Sequence, residues 1–374
     1  MSKLELKNLY DDFRDSKTIK SFAKKINEGA KKIDRNINIM EVCGGHTHTI
    51  MKYGILQLLP ENINFIHGPG CPVCIMPKER IDHAYILAQQ SDVILVTLGD
   101  MIKVPGSHGS LQNARSEGAD VRFVYSPLDV LKIAKDNPSK KVIFYAIGFE
   151  TTTPMSAALL EKVIKQGIKN VFFHINHVRV PEPMRVLMDD KDCQINAFLG
   201  PSHVSAITGS KIYEEFPLTY HTPVVVSGFE PVDVMQSIYM ILRQFITGRC
   251  EVENEYGRAV TREGNVCAQR LVEKYFDRKD SFRWRGIGDI PKSSLKLRDE
   301  YAKYDAEIIY ADILPDKKID DHKLCICGEI LKGKAKPMDC KVFGNACKPN
   351  SPLGSCMVSS EGACAAYYKY GNIR

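Results

Sequence analysis

From residue 37 onward the chain alternates short, almost wholly apolar runs with helix-length segments that mix apolar and charged positions. The runs fall at 38–42, 63–66, 93–97, 121–125, 141–147, 170–175, 197–199 and 223–226, and are rich in Val, Ile, Phe and Tyr. A half-exposed strand would alternate apolar and polar positions. These runs do not, and they read as strands buried on both faces of mostly parallel sheets joined by helical crossovers. So many units over about 210 residues favour two α/β domains over one large sheet. A short echo agrees with this: Gly148-Phe149-Glu150 and Gly228-Phe229-Glu230 each follow an apolar run.

The flanks differ. Leu4, Leu6, Leu9, Phe13, Ile19, Phe22, Ala23 and Ile26 recur at helical spacing among charges, which predicts helix over 4–33. Residues 232–246 read as a long amphipathic helix, 253–262 as a polar connection and 266–276 as a further helix. The only tryptophan, Trp284, lies in a connector. The expected fold is α/β, with two Rossmann-like parallel-sheet domains and a small cysteine-rich C-terminal domain. Its divisions are an N-terminal helical segment (1–36), domain I (37–137), domain II (138–250), and a helical connector with the C-terminal domain (251–374).

Composition narrows the class. A 374-residue chain with 44% hydrophobic and 26% charged residues is ordinary for a globular protein. The net charge of +6 is mild and not gathered in a tail, which argues against nucleic-acid binding. No apolar stretch is long enough to span a membrane and the first 25 residues are charged throughout, so a cytoplasmic location is expected. Twelve cysteines in such a chain point to metal or redox chemistry rather than a disulfide framework. Cys193, Cys250 and Cys267 are scattered and read as packing residues.

The other nine form two groups. Cys43-Gly44-Gly45-His46-Thr47-His48 follows the first strand run. A thiol there, at the start of a helix, sits where backbone N–H groups favour a thiolate, either a nucleophile or a soft metal ligand. Gly44 and Gly45 leave room for a ligand above the sulfur. His46 can face the same cleft as ligand or proton carrier, and His48 can line it, cap or pack. Gly68-Pro69-Gly70-Cys71-Pro72-Val73-Cys74 follows the second run. If both runs are parallel strands, both loops leave one sheet edge and their thiols share a cleft. Glu150 reads as a buried acid or part of a helix N-cap, and His174, His177 and His203 are weaker candidates.

The second group is Cys325, Cys327, Cys340, Cys347, Cys356 and Cys364, in a Gly- and Pro-rich segment with little periodicity. Such a segment needs a staple, zinc or an iron–sulfur cluster, and the spacing is not that of a zinc ribbon. Four thiolates hold a [4Fe–4S] cluster. Cys325, Cys340, Cys347 and Cys364 are the first choice, with Cys327 and Cys356 as a nearby redox pair or as alternative ligands.

These loops, with Val104-Pro105-Gly106-Ser107, Tyr125-Ser126-Pro127-Leu128-Asp129, Gly148-Phe149-Glu150-Thr151-Thr152 and the terminal 354–364 stretch, resemble the HypD family of hydrogenase maturation proteins. The resemblance runs from about residue 38 to the end. Ser202-His203 stands where relatives have Gly-His. What it implies is a scaffold on which, with a HypC-type chaperone, the Fe(CN)2CO group of [NiFe] hydrogenase is built before reaching the hydrogenase large subunit. HypE, charged by HypF, delivers cyanide. Carried over, Cys43 holds the iron with His46 beside it, Cys71 and Cys74 are a thiol pair, and the C-terminal cysteines hold a [4Fe–4S] cluster. Two other readings compete: an iron–sulfur-dependent thiol-disulfide oxidoreductase using Cys71 and Cys74, and a zinc-stapled binding module.

Overall fold

A computed structural model describes residues 11–371. Of the expected first helix, Leu4, Leu6 and Leu9 lie outside the described residues. Its remainder forms α1 (Ser16–Ala30), started by Asp15, whose carboxylate accepts from the Thr18 amide. Its apolar stripe buries Ala23, Ile26 and Ala30.

The eight apolar runs form β1 (Ile37–Glu41), β2 (Ile63–His67), β3 (Val93–Leu98), β4 (Val121–Val124), β5 (Lys141–Gly148), β6 (Val171–His177), β7 (Ala197–Pro201) and β8 (Val224–Ser227), and a further strand, β9 (Val252–Asn254), joins them. They make two parallel sheets, ordered β2-β1-β7-β8-β9 and β4-β3-β5-β6. The α/β class and the paired parallel sheets are as expected.

The domain boundaries are not. The second sheet is contiguous in sequence and inserted between β2 and β7 of the first, so the expected division at 137/138 falls between strands of one sheet. Val93 of β3 lies opposite Lys141 of β5. Strands buried on both faces look alike in sequence, and nothing in an apolar run says which neighbour it will pair with. β9 lies in the stretch read as polar; it is a half-buried edge strand that needs no apolar run. The connector departs too. After the helix at Val266–Tyr275 it consists of two small antiparallel pairs, 276–278 with 295–297 and 281–284 with 288–291. Trp284 is fully buried there and donates to Ser293 Oγ at 2.8 Å.

Helices cover the sheets as their apolar stripes require. α2 (Gly44–Lys52) starts directly after β1, α3 (Thr153–Lys165) packs Leu159, Leu160 and Val163 on the second sheet, and α4 (Pro231–Thr247) packs Ile238 and Ile241 with α1 on the first. The largest core lies between the sheets. It joins Met40, Tyr145 and Phe198 to Trp284, Met357 and Cys364, so the C-terminal cysteine segment, ending in α5 (Ala363–Tyr370), is packed into the body of the protein.

Ile238 is fully buried on α4. Ile238→Ala is expected to lower the unfolding free energy by about 2–5 kcal/mol in urea titration, with the cysteine sites unaltered.

Candidate metal and thiol site

The expectation that both cysteine loops leave one sheet edge holds in geometric terms, because β1 and β2 pair in parallel with Glu41 opposite His67. Cys43 is still extended (φ −152°, ψ 128°) and α2 begins at the next residue. The loop after β2 lies against it through backbone alone: the Gly68 amide donates to Glu41 O at 2.8 Å and the Gly44 amide to Gly70 O at 3.3 Å. A methyl group on Gly70 would lie 2.2 Å from Cys43 N, and one on Gly44 would lie 2.2 Å from Glu361 O. Only glycine lets the three segments meet. Cys43, Cys71 and Cys74 are all buried.

The Cys43 thiol departs from the expected thiolate. Burial, then the Glu361 carboxylate, pushes it well above the ordinary thiol range, and the Gly45 amide at the helix start only partly opposes them. The protein alone therefore keeps this sulfur protonated, and a bound cation would displace the proton.

Two imidazoles border it. His46 is fully buried, and its Nε2–H donates to the carbonyls of Gly228 (3.0 Å) and Ser227 (3.2 Å), while Nδ1 has no partner. Burial holds it neutral, down to about 3. His203, just after β7, has both ring nitrogens 3.9 Å from Cys43 Sγ, and burial lowers it to about 4. Phe229 packs against both rings, at 4.6 and 5.0 Å. His203 was one of three weaker sequence candidates, with His174 and His177, and its place in a strand-end loop was its only signal. His48 is set apart, half-buried, with its ring on Tyr370.

Beneath Cys43 lies a network with no sequence signal. Glu41 is buried and accepts from the Cys43 amide (3.1 Å), the Thr47 hydroxyl and His67 Nδ1 (2.6 Å), and His67 Nε2 lies 3.1 Å from Tyr367 OH. Burial raises the Glu41 carboxyl, opposed by its hydrogen bond from His67. Its acceptor capacity is filled by neighbouring donors, as a buried carboxyl requires.

A cavity of about 10 Å³, room for one water, is bordered by Thr47, His67, Cys71, Cys74 and Cys356. The Cys356 thiol is hydrogen-bonded to Cys327 and Cys74, which lowers it to about 6. Cys325 Sγ lies 3.2 Å from Cys327 Sγ, and the Cys364 thiol is hydrogen-bonded to Cys327. Cys347 accepts from the Leu353 amide at 3.4 Å, and Cys340 faces Leu324 O at 3.8 Å. Cys327 and Cys356 thus stand between the Cys71/Cys74 loop and the remaining cysteines. The donors suit an iron–sulfur group. A methyl on Gly354 would strike the Cys325 and Cys327 sulfurs, so glycine is what lets them pack there. Among the described residues no three of these sulfurs lie within 4.8 Å of one another, the closeness a single ion would require, whereas a cluster spreads its ligands over separate irons.

Glu150 is not drawn into this site. It accepts from the Val180 amide at 3.1 Å, is raised to about 7 by burial, and lines a separate cavity of about 360 Å³ with Arg179, Arg278 and Arg298. The alternative N-cap reading, which rested on Thr151 and Thr152 beside it, agrees in position, since Thr152 is the residue that precedes α3, although its side chain makes no capping hydrogen bond. His174 belongs to another buried cluster, 3.2 Å from His83, beside a Glu307 whose oxygens are taken by Arg80 and Lys279. His177 donates to or accepts from Ser156 at 2.8 Å.

Fold and site together define a parallel α/β protein built around a buried array of cysteines gathered from both ends of the chain. The family model described as "HypD: Hydrogenase formation hypA family" matches residues 17–371. The chain is 49% identical over 370 residues to the hydrogenase maturation factor HypD of Azotobacter vinelandii, 47% over 371 to that of Cupriavidus necator and 43% over 364 to that of Escherichia coli K12. It spans 97% of each of these relatives, and 97%, 97% and 96% of its own length is matched. The chain belongs to the HypD family of hydrogenase maturation factors. No helix among the described residues is long and apolar enough to cross a membrane.

Gly70→Ala is expected to pry the two loops apart, lowering the melting temperature and raising the rate at which a thiol reagent labels Cys71 and Cys74. A second expectation concerns acid. His46, His177 and His203 are held neutral, at about 3, 4 and 4 against an ordinary 6.5. The unfolded chain therefore takes up more protons below pH 6.5, and stability falls as pH drops from there toward 4. Each contributes a loss of about 2 kcal/mol at pH 5, measurable in metal-free protein by urea titration at pH 7 and pH 5.

Proposed function

We propose that this chain is the scaffold on which, with a HypC-type chaperone, the Fe(CN)2CO group of a [NiFe] hydrogenase is assembled for the large subunit. HypE, charged by HypF, supplies the cyanide. The site works in the cytoplasm. Cys43 holds the iron, an electron-rich low-spin centre that suits a thiolate, and His46 offers it a lone pair at Nδ1. Gly44 and Gly45 let Glu361 and the Phe229 ring pack close beside the sulfur, where a side chain on either glycine would collide with them.

The observation that carries this reading is the unbroken succession of buried thiols from the Cys43 loop to the C-terminal segment. Cys71 and Cys74 form one pair, Cys356 and Cys327 the next. Cys325, Cys340, Cys347 and Cys364 would hold a [4Fe–4S] cluster, which supplies electrons when bound. The thiol pairs can pass a disulfide along by exchange, and the low value of Cys356 makes it the readiest thiolate to attack. Burial argues against the alternative of a general thiol-disulfide oxidoreductase: Cys71 and Cys74 are 4% and 1% exposed, out of reach of a protein disulfide.

Maturation assays in a strain lacking its own factor, with absorbance of the anaerobically purified variants, test these roles. Cys43→Ala is expected to abolish hydrogenase activity while the protein stays brown. Cys356→Ala should also lose maturation and keep its colour, whereas Cys340→Ala should bleach. A Cys43→Ala variant that still matures hydrogenase would sink the iron assignment.

A further inference from the structure

The two imidazoles beside Cys43 are chemically unlike. The Nε2 proton of His46 is committed to the carbonyls of Ser227 and Gly228, so its orphaned Nδ1 carries only a lone pair. It can ligate or accept but cannot donate. Among the described residues, the ring nitrogens of His203 meet no hydrogen-bonding group but the Cys43 sulfur, and both lie 3.9 Å from it. In either tautomer one of those nitrogens bears a proton, so an N–H borders the space next to the sulfur. Phe229, packed on both rings, restricts their reorientation.

We propose that His203 is the hydrogen-bond donor to the anionic diatomic ligand on the iron carried by Cys43, and that it thereby discriminates cyanide from carbon monoxide at this site. The inference rests on the scaffold reading above. A metal-bound cyanide presents a nitrogen that accepts hydrogen bonds strongly, and the oxygen of carbon monoxide is a poor acceptor. At a largely buried site a fixed donor meets little competition from water, and a buried acceptor left without one is penalised. A neutral donor suits the position better than a charged one. An imidazolium would repel the iron and could hand its proton to cyanide. His203 is thus a positioning group whose effect is set by its N–H, and a ring of the same shape without that N–H removes the effect while still packing on Phe229.

Infrared spectroscopy of the full chain, purified anaerobically with its HypC-type partner, reads this out. In the parent, the cyanide stretches are expected to shift when H2O is replaced by D2O, and the carbon monoxide stretch to shift less. His203→Phe should move the cyanide bands to lower wavenumber and abolish their solvent-isotope shift. His203→Gln, which restores an N–H, should return both toward the parent values. Cyanide bands that are identical in parent and His203→Phe, and insensitive to D2O in both, would overturn the role of His203 and leave the scaffold reading intact. A parent with no such bands would overturn both. Parent cyanide bands that are insensitive to D2O overturn the role of His203 even if His203→Phe fails to fold.

Discussion

The structure depends on a contact made without side chains. The loops after β1 and β2 meet at Cys43 and Gly70, and the C-terminal segment meets the start of α2 at Gly44 and Glu361, all at distances where a single methyl group would collide. Parallel pairing of β1 with β2 brings the loops to one edge. The glycines then let backbone approach backbone, and sulfurs separated by almost the whole length of the chain become neighbours. Everything chemically distinctive about the site follows from that approach: the thiols are buried, their charges are costly, and each depends on its neighbours for a proton or a hydrogen bond.

Burial gives the site an unusual charge state. His46 and His203 are held neutral, Cys43 is held protonated, and Glu41 is buried and surrounded by donors. Of these groups only His46 Nδ1 lacks a partner among the described residues, and a metal that replaces the Cys43 proton would gain a buried thiolate. Cys356 is the exception, a thiol lowered by donation from two others.

Much of this was legible in the sequence, for physical reasons that can be stated residue by residue. The apolar runs mark doubly buried strands, and all eight appear within a few positions of where they are expected. The loops at 43–48 and 68–74 declare themselves because Gly, Cys and His crowd together where a strand ends. What could not be read was pairing. Residues 93–177 form their own sheet because of which strands meet edge to edge, and no local pattern encodes that choice. Glu41 hides inside an apolar run, its partner His67 lies 26 residues away, and Tyr367, the partner of His67, lies 326 residues from Glu41. His203 stood among several strand-end histidines, and only the fold selects it over His174 and His177, which pack into other clusters. Glu150 shows the converse: its position looked functional, yet β5 belongs to the second sheet and carries it to a different cavity.

Mössbauer spectroscopy of isotopically enriched protein, purified anaerobically after co-expression with a HypC-type chaperone, tests most directly the proposal that Cys43 holds an iron separate from a C-terminal cluster. The account predicts a [4Fe–4S] signal and beside it a minor low-spin ferrous signal, with Cys43→Ala losing the second and keeping the first. A low-spin signal that survives in Cys43→Ala, or a parent in which all iron belongs to the cluster, would contradict it.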